Sequence, residues 1–296
     1  MCIAAAGLPP RAAAARAVAA CAAAARAMAA GAALTCAALM AMAAPDSTEI
    51  DKRLAAVARQ PGSAAAHFDL AETLAPAGRK EEALGHFERA IALDPGNLRY
   101  GNEYRSACAQ AGEAQRAIDF LEKEVAAHGG VMALRLNLAL AYVDKMPYPG
   151  YGIVGQGLLS NRSIRELTIV LEREPGSWAA MYGRAMNHLH WPRALMHSSQ
   201  AIDDFKACLR MQSGVPAAQL RPHNLLPYLG LGDAQVKNGR LDDARRTWKD
   251  AHRLFPGDPR LAKRLSLDDD ALKKFVDEER GLARPIDTDL SFVWNP

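Results

Sequence analysis

The side chains best suited to chemistry lie together in Met186-Asn187-His188-Leu189-His190-Trp191-Pro192-Arg193, continuing to Met196 and His197. Three of the eight histidines fall within ten residues, beside two methionines. Imidazoles bind zinc, copper or a haem iron, and a thioether adds affinity for copper. The spacing H-x-H-x6-H, however, has no acid or cysteine beside it to complete a familiar zinc set. If residues 188–190 are helical, His188 and His190 point about 200° apart and cannot share an ion without unwinding. The competing reading makes His188 a half-buried helix residue, with Trp191-Pro192 ending the helix and packing a widened turn. A metal- or cofactor-handling role through His188, His190, Met196 and His197 is therefore the alternative function.

Other chemistry has no foothold. There is no phosphate-cradling glycine loop, no G-x-S-x-G elbow and no H-E-x-x-H. Val154-Gly155-Gln156-Gly157 follows no strand, so it is not a dinucleotide loop. The expectation is a protein that is not an enzyme and needs no cofactor. Beyond the N-terminal segment only Cys108 and Cys208 remain. They stand two repeats apart, too far for a disulfide, and read as buried free thiols.

The elements that carry these residues follow one pattern, plainest in Ala64–Asn97. Phe68, Leu70, Ala71 and Leu74 mark one short amphipathic helix. Ala83, Leu84, Phe87, Ala90, Ile91 and Leu93 mark a second, which stops at Asp94-Pro95-Gly96. Such a hairpin cannot bury its apolar face alone and calls for stacked neighbours. The neighbours are units near 98–131, 132–177, 178–215 and 225–258. Leu138, Ala139 and Tyr142 match Leu70, Ala71 and Leu74; Leu231, Gly232, Ala244, Trp248, Ala251 and Pro256 repeat the first unit's spacing. Unit two is degenerate, with Gly101, Arg105 and Cys108 in packing slots. Unit three carries a long insertion, read as a loop over Val143–Arg162. Unit four has a longer turn at His190-Trp191-Pro192, and Pro216–Asn224 follows it.

With large residue, Leu-Gly or Leu-Ala, aromatic, Ala, aromatic and Pro at fixed intervals, the pattern resembles the tetratricopeptide repeat. The resemblance covers about Asp46 to Asp258. It implies an all-α fold: a right-handed superhelical α-solenoid of about five helix hairpins, whose first helices line a concave groove. It also implies a protein- or peptide-binding scaffold or assembly factor without chemistry of its own. On that basis Leu136, Asn137, Leu140, Tyr182 and Met186 are expected to face the groove. Tyr148 and Tyr151, on the glycine- and proline-rich insertion, are expected to add an adaptable contact surface. The family's carboxylate-gripping Lys and Asn array is not matched: Asn137 is present, but Phe68 and Glu72 stand where its partners belong.

Composition and charge fit this reading. Only 6% of residues are aromatic, which suits close-packed helices. The formal charge is +3, and residues 1–43 contribute Arg11, Arg16 and Arg26 without an acid. The remainder has 33 bases against 33 acids and offers no basic footprint for nucleic acid. Residues 1–43 are alanine-rich, basic early and uncharged after Arg26, with small residues at Ala41-Met42-Ala43. They read as a secretory signal, placing the protein in the periplasm or outside the cell. The alternatives are an uncleaved membrane anchor and lipid attachment at Cys36, whose preceding Ala33-Leu34-Thr35 matches a lipoprotein signal poorly; the sequence suggests membrane contact only through this segment. The repeat domain would span 46–284, with Asp46 and Glu49 capping its first helix and Ser266–Arg284 forming a terminal one. From 285 to 296 the period changes: Ile286, Leu290, Phe292 and Trp294 alternate with Asp287, Asp289 and Asn295. This reads as an extended strand or arm, not a helix: folded back onto the last repeats, pairing with a partner's sheet edge, or disordered, the last opposed by its large side chains.

Overall fold

The computed structural model describes residues 47–282 and 284–294. The signal or anchor segment, Asp46 and the last two residues lie outside that range. The chain divides into two compact units at residue 51. Of the first, only residues 47–51 are described, and they open helix α1 (Ser47–Arg59).

In the second unit the periodic stretches become helices in strict succession. They are α2 (Ala64–Leu74), α3 (Lys80–Leu93), α4 (Leu98–Ala111), α5 (Ala114–Ala127), α6 (Met132–Lys145) and α7 (Ile153–Arg173). Then come α8 (Trp178–His190), α9 (Ser198–Gln212), α10 (Leu226–Lys237), α11 (Leu241–Leu254), α12 (Pro259–Ser266) and α13 (Asp269–Glu279). No strand occurs among the described residues. The starts are set locally: Ser63, Asn97, Ser177 and Asp258 each accept backbone N–H groups of the following turn, the usual remedy for unpaired N-terminal amides. From α2 to α12 each helix packs on the next, α13 packs on α10, and the first helices of successive hairpins also touch, α4 on α6, α6 on α8, and α8 on α10. The small residues make this possible: Ala71, Ala90, Ala139, Ala180, Ala201, Ala234 and Ala251 have no exposed surface, so the helix axes can approach closely.

Three sequence expectations change here. The insertion is mostly helix: the link from α6 to α7 is short, and α7 gains two turns at its start. Its glycines hide this from propensity, but Gly157 lies under the Trp191 ring, where a Cβ would stand 3.2 Å from Cη2. Tertiary packing outweighs the roughly 1 kcal/mol that glycine costs a helix. The terminal helix does not begin at Ser266, which ends α12; Asp268 caps α13 by accepting from Asp270 and Ala271. The C-terminal segment forms no strand: residues 285–290 are irregular, and Ser291–Val293 make a 3-10 turn.

The last hairpin is locked by charge. Asp233 of α10 is fully buried and accepts from Arg264 Nε and Nη2 at 2.7 and 2.8 Å and from Arg280 Nε at 2.8 Å. Burial opposes its ionisation, but the two guanidiniums outweigh burial and hold the carboxyl below its usual range. Nearby, Lys237 Nζ donates to the carbonyls of Leu189, Trp191 and Arg280 at 2.8, 2.9 and 2.6 Å. It closes the C-terminal ends of α8 and α13.

Candidate functional site

The first helices present a row of polar side chains, and α4 supplies its centre. Arg105, in the degenerate unit, is buried and spends every donor. Its Nε donates to Asn137 Oδ1 at 3.1 Å, Nη1 to Asp144 Oδ2 at 2.6 Å, and Nη2 to Asn102 Oδ1 at 3.0 Å. Asn137 of α6 in turn donates to the carbonyls of Leu98 and Ala133 at 3.2 and 3.1 Å. The row needs α4 and α6 in close contact. Gly101 provides it, since a Cβ there would fall 2.2 Å from Asn137 Nδ2.

The C-terminal arm lies on this row. Arg105 Nη2 donates to the Thr288 carbonyl at 3.0 Å, and Nη1 reaches the Thr288 hydroxyl at 3.3 Å. That hydroxyl also donates to Asp144. Asn102 Oδ1 accepts the Leu290 backbone N–H at 3.0 Å, and Asn102 Nδ2 donates to Asp289 Oδ1 at 3.1 Å. Burial opposes ionisation of Asp289, but the Ser291 hydroxyl and amide, with Asn102, hold its carboxyl below the usual range. Leu290, 4% exposed, joins Met132, Leu136, Leu140, Leu167, Val170 and Ala180 in one apolar cluster, with Phe292 and Trp294 packed against it. Ile286 packs on the neighbouring cluster around Met186, Leu189 and Phe205. The Phe292 ring stacks on His223 at 5.0 Å and meets Trp178 edge-on at 5.3 Å.

The residues expected to line an open groove are thus already covered. Leu136, Asn137, Leu140 and Met186 are 4% exposed or less. Leu136 and Leu140 pack with the arm, Asn137 is spent inside the polar row, and Tyr182 stacks on Trp178 at 4.9 Å. The arm folds back, as the first of the three expectations had it, but along α4, α6 and α8 rather than on the last repeats alone. Tyr148 and Tyr151 flank Lys145, whose Nζ lies 4.7 and 5.7 Å from their ring centroids. The Tyr148 hydroxyl donates to the Ala109 carbonyl at 3.1 Å, tying the α6–α7 link to α4. Sequence reasoning missed Asn102, Arg105 and Asp144. The available signal was Arg105 in a packing slot of unit two, which looks like decay of the repeat; the pattern does not single out Asn102 or Asp144.

The histidines are not brought to one point. His188 Nδ1 meets His197 Nδ1 at 2.9 Å, and Trp191 stacks on the His197 ring at 4.4 Å. His190 instead directs Nδ1 at the Gly281 carbonyl, 3.1 Å away, and Met196 is 76% exposed. Residues 178–190 stay helical, so His188 and His190 diverge and no unwinding rescues the four-residue set. Among the described residues no group of three or more His, Cys, Asp or Glu is placed to hold a metal ion. Burial pushes His188 down to about 4 and His190 down to about 3. Cys108 and Cys208 are buried free thiols, both pushed up to about 12 by burial.

Two cavities flank the arm. One of about 680 Å³ is walled by Leu98, Met132, Leu136, Val170 and Trp178, with Phe292 and Val293 at its edge. The other, about 530 Å³, sets the arm's Asp287 and Asp289 opposite Arg260, Lys263, Arg264 and Arg280.

Comparison with known proteins agrees with this architecture. The tetratricopeptide repeat profile matches residues 53–97. The solved structure of PilW, described as a widely conserved type IV pilus biogenesis factor, superposes with a TM-score of 0.51. It is 16% identical over 74% of this chain and 89% of its own. A tetratricopeptide repeat is thus recognised over residues 53–97, and the fold as a whole is a helical solenoid like that of PilW. Among other tetratricopeptide-repeat structures, TTC0263 of Thermus thermophilus gives a TM-score of 0.47 at 19% identity, covering 69% of this chain and 97% of its own. YrrB, described as having an unusual peptide-binding site, gives 0.46 at 15%, covering 73% and 98%. No curated protein sequence matches the chain. Tetratricopeptide-repeat scaffolds mediate protein–protein contact and are typically non-catalytic.

Proposed function

We propose that the protein is a non-catalytic scaffold or assembly factor that binds a protein partner, as an extended segment, along α4, α6 and α8. One observation carries this reading: Arg105 and Asn102 bond to the main chain of Thr288 and Leu290 rather than only to side chains. A row of polar side chains that grips backbone accepts an unfolded segment of any chain, with pockets beside it for selected side chains. The alanine-rich, early-basic residues 1–43 support action outside the cytosol, in the periplasm or secreted, with membrane anchoring through that segment as the other outcome. N-terminal sequencing of the protein from its native host separates the two.

The partner is tested by photo-crosslinking in that host. A crosslinking residue replaces Ser106, which is exposed beside the arm, or Arg89, which is exposed on the second helix of a hairpin. A discrete adduct from position 106 and none from 89 supports the reading. Equal adducts from both, or none from 106, contradict it.

A further inference from the structure

The arm shows which segment the groove accepts. Resting on the peptide-binding reading above, we infer that Pro285–Trp294 is a tethered stand-in for the partner, an acidic extended segment of the form Thr-Asp-Leu-x-Phe that displaces it.

Each position has its own receptor. The Thr288 hydroxyl sits between Arg105 and Asp144, and its carbonyl takes Arg105 Nη2. The Asp289 carboxylate takes Asn102 Nδ2. Leu290 fills the apolar cluster of α6, α7 and α8. Phe292 fits between Trp178 and His223. The walls carry a small excess of positive charge beside Asp287 and Asp289: Arg260, Lys263, Arg264 and Arg280 line the cavity with Glu279. Arg260, Arg264 and Arg280 are already paired with Asp258 and Asp233, so Lys263 is the basic residue that favours acid there.

The arm is also an incomplete occupant. Phe292 and Val293 line the cavity of about 680 Å³ and leave it open; its other walls are mostly apolar, with Glu174, Gln212 and Asn224 among them. A partner with a bulkier apolar side chain in place of Phe292 or Val293, the two arm residues that line this cavity, covers the arm's track and fills the cavity together, and so gains contacts that the arm lacks. A tethered ligand acts at an effective concentration of millimolar order. The arm therefore screens the groove from weak binders and yields to a fuller match.

The test uses the full chain and a fluorescent peptide, Pro-Ile-Asp-Thr-Asp-Leu-Ser-Phe-Val-Trp. The chain is compared with a variant whose arm is released by Leu290→Asp and Phe292→Asp, its fold checked by circular dichroism. The peptide is expected to bind the released variant on the order of a hundredfold more tightly than wild type. A peptide carrying the same two Asp substitutions is expected not to bind. Equal affinity for wild type and a folded released variant, or retained binding of the substituted peptide, overturns the inference. If the variant does not fold, wild type decides. Millimolar unlabelled peptide must speed hydrogen exchange over the chain's own residues 286–294, and unchanged exchange overturns the inference. A partner crosslinked at position 106 alongside a failed peptide assay would leave the scaffold reading standing and remove this one alone.

Discussion

Asn102 Oδ1 accepts the backbone N–H of Leu290 at 3.0 Å, joining two residues 188 positions apart in the sequence. The same oxygen takes Arg105 Nη2, so one amide fixes both the arm and the guanidinium that holds Thr288. The polar row and the arm are therefore one structure. Loosening either side loosens the other, and the following expectations come from that coupling.

Arg105→Met removes the only charge among Asn102, Asn137 and Thr288 and strips Asp144 of its ion pair. Breaking a buried pair by deleting one partner costs about 3–5 kcal/mol. Urea unfolding should show a loss of that order. Arg105→Lys should recover little, because a compact ammonium cannot reproduce the five-donor fork.

Gly101→Ala should act on the same row from behind. Its Cβ would overlap Asn137 Nδ2, so α4 must retreat from α6 or Asn137 must turn away. Overpacking of this kind costs about 1–3 kcal/mol. Circular dichroism melting should show a lower midpoint, while Gly62→Ala, with open space around it, should leave the midpoint nearly unchanged.

The helix pattern was readable because alanine and large apolar residues recur at fixed spacing, and Ala71, Phe87, Ala139, Ala201 and Trp248 do pack the interior. The α7 extension was hidden by Gly155 and Gly157; Gly157 makes room for the Trp191 ring of a distant turn and Gly155 for the Tyr151 ring just before the helix, neither of which local propensity reports. The site was half legible. Leu136, Leu140 and Met186 do lie along the arm's track, but what covers them could not be read from their own helices. The alternation of Ile286, Leu290 and Phe292 signalled an arm that could dock, yet its dock was written in Arg105, which looked like a fault in a repeat, and in Asn102, which the repeat pattern does not single out.

Asp233→Asn should unlock the last hairpin. It leaves Arg264, buried, and Arg280 facing a neutral amide. The expected loss is again about 3–5 kcal/mol, read by urea unfolding. Limited proteolysis should then cut first within residues 259–282.

Acid should weaken the protein through His188 and His190. Both have depressed folded-state values, about 4 and about 3, against 6.5 when unfolded. Above pH 6.5 neither form is charged and the two contribute no pH dependence. As pH falls below 6.5 the unfolded chain takes up protons that the folded chain refuses, so stability falls, by about 2 kcal/mol per histidine at pH 5. Asn at position 190 keeps a donor for the Gly281 carbonyl without titrating. His190→Asn should therefore lose less stability than wild type between pH 7.5 and pH 5, measured by urea unfolding at each pH.

The most direct test of the account is hydrogen exchange at the Leu290 amide, followed by NMR in the wild-type chain and in Asn102→Ala. The account predicts slow exchange in wild type, and exchange faster by at least about tenfold, the equivalent of one lost hydrogen bond, in the variant. Across residues 286–294 protection should fall together, because the arm docks as a unit. A Leu290 amide that exchanges at the rate of a free peptide in wild type, or that is indifferent to Asn102, would contradict the claim that the first helices hold an extended segment by its backbone.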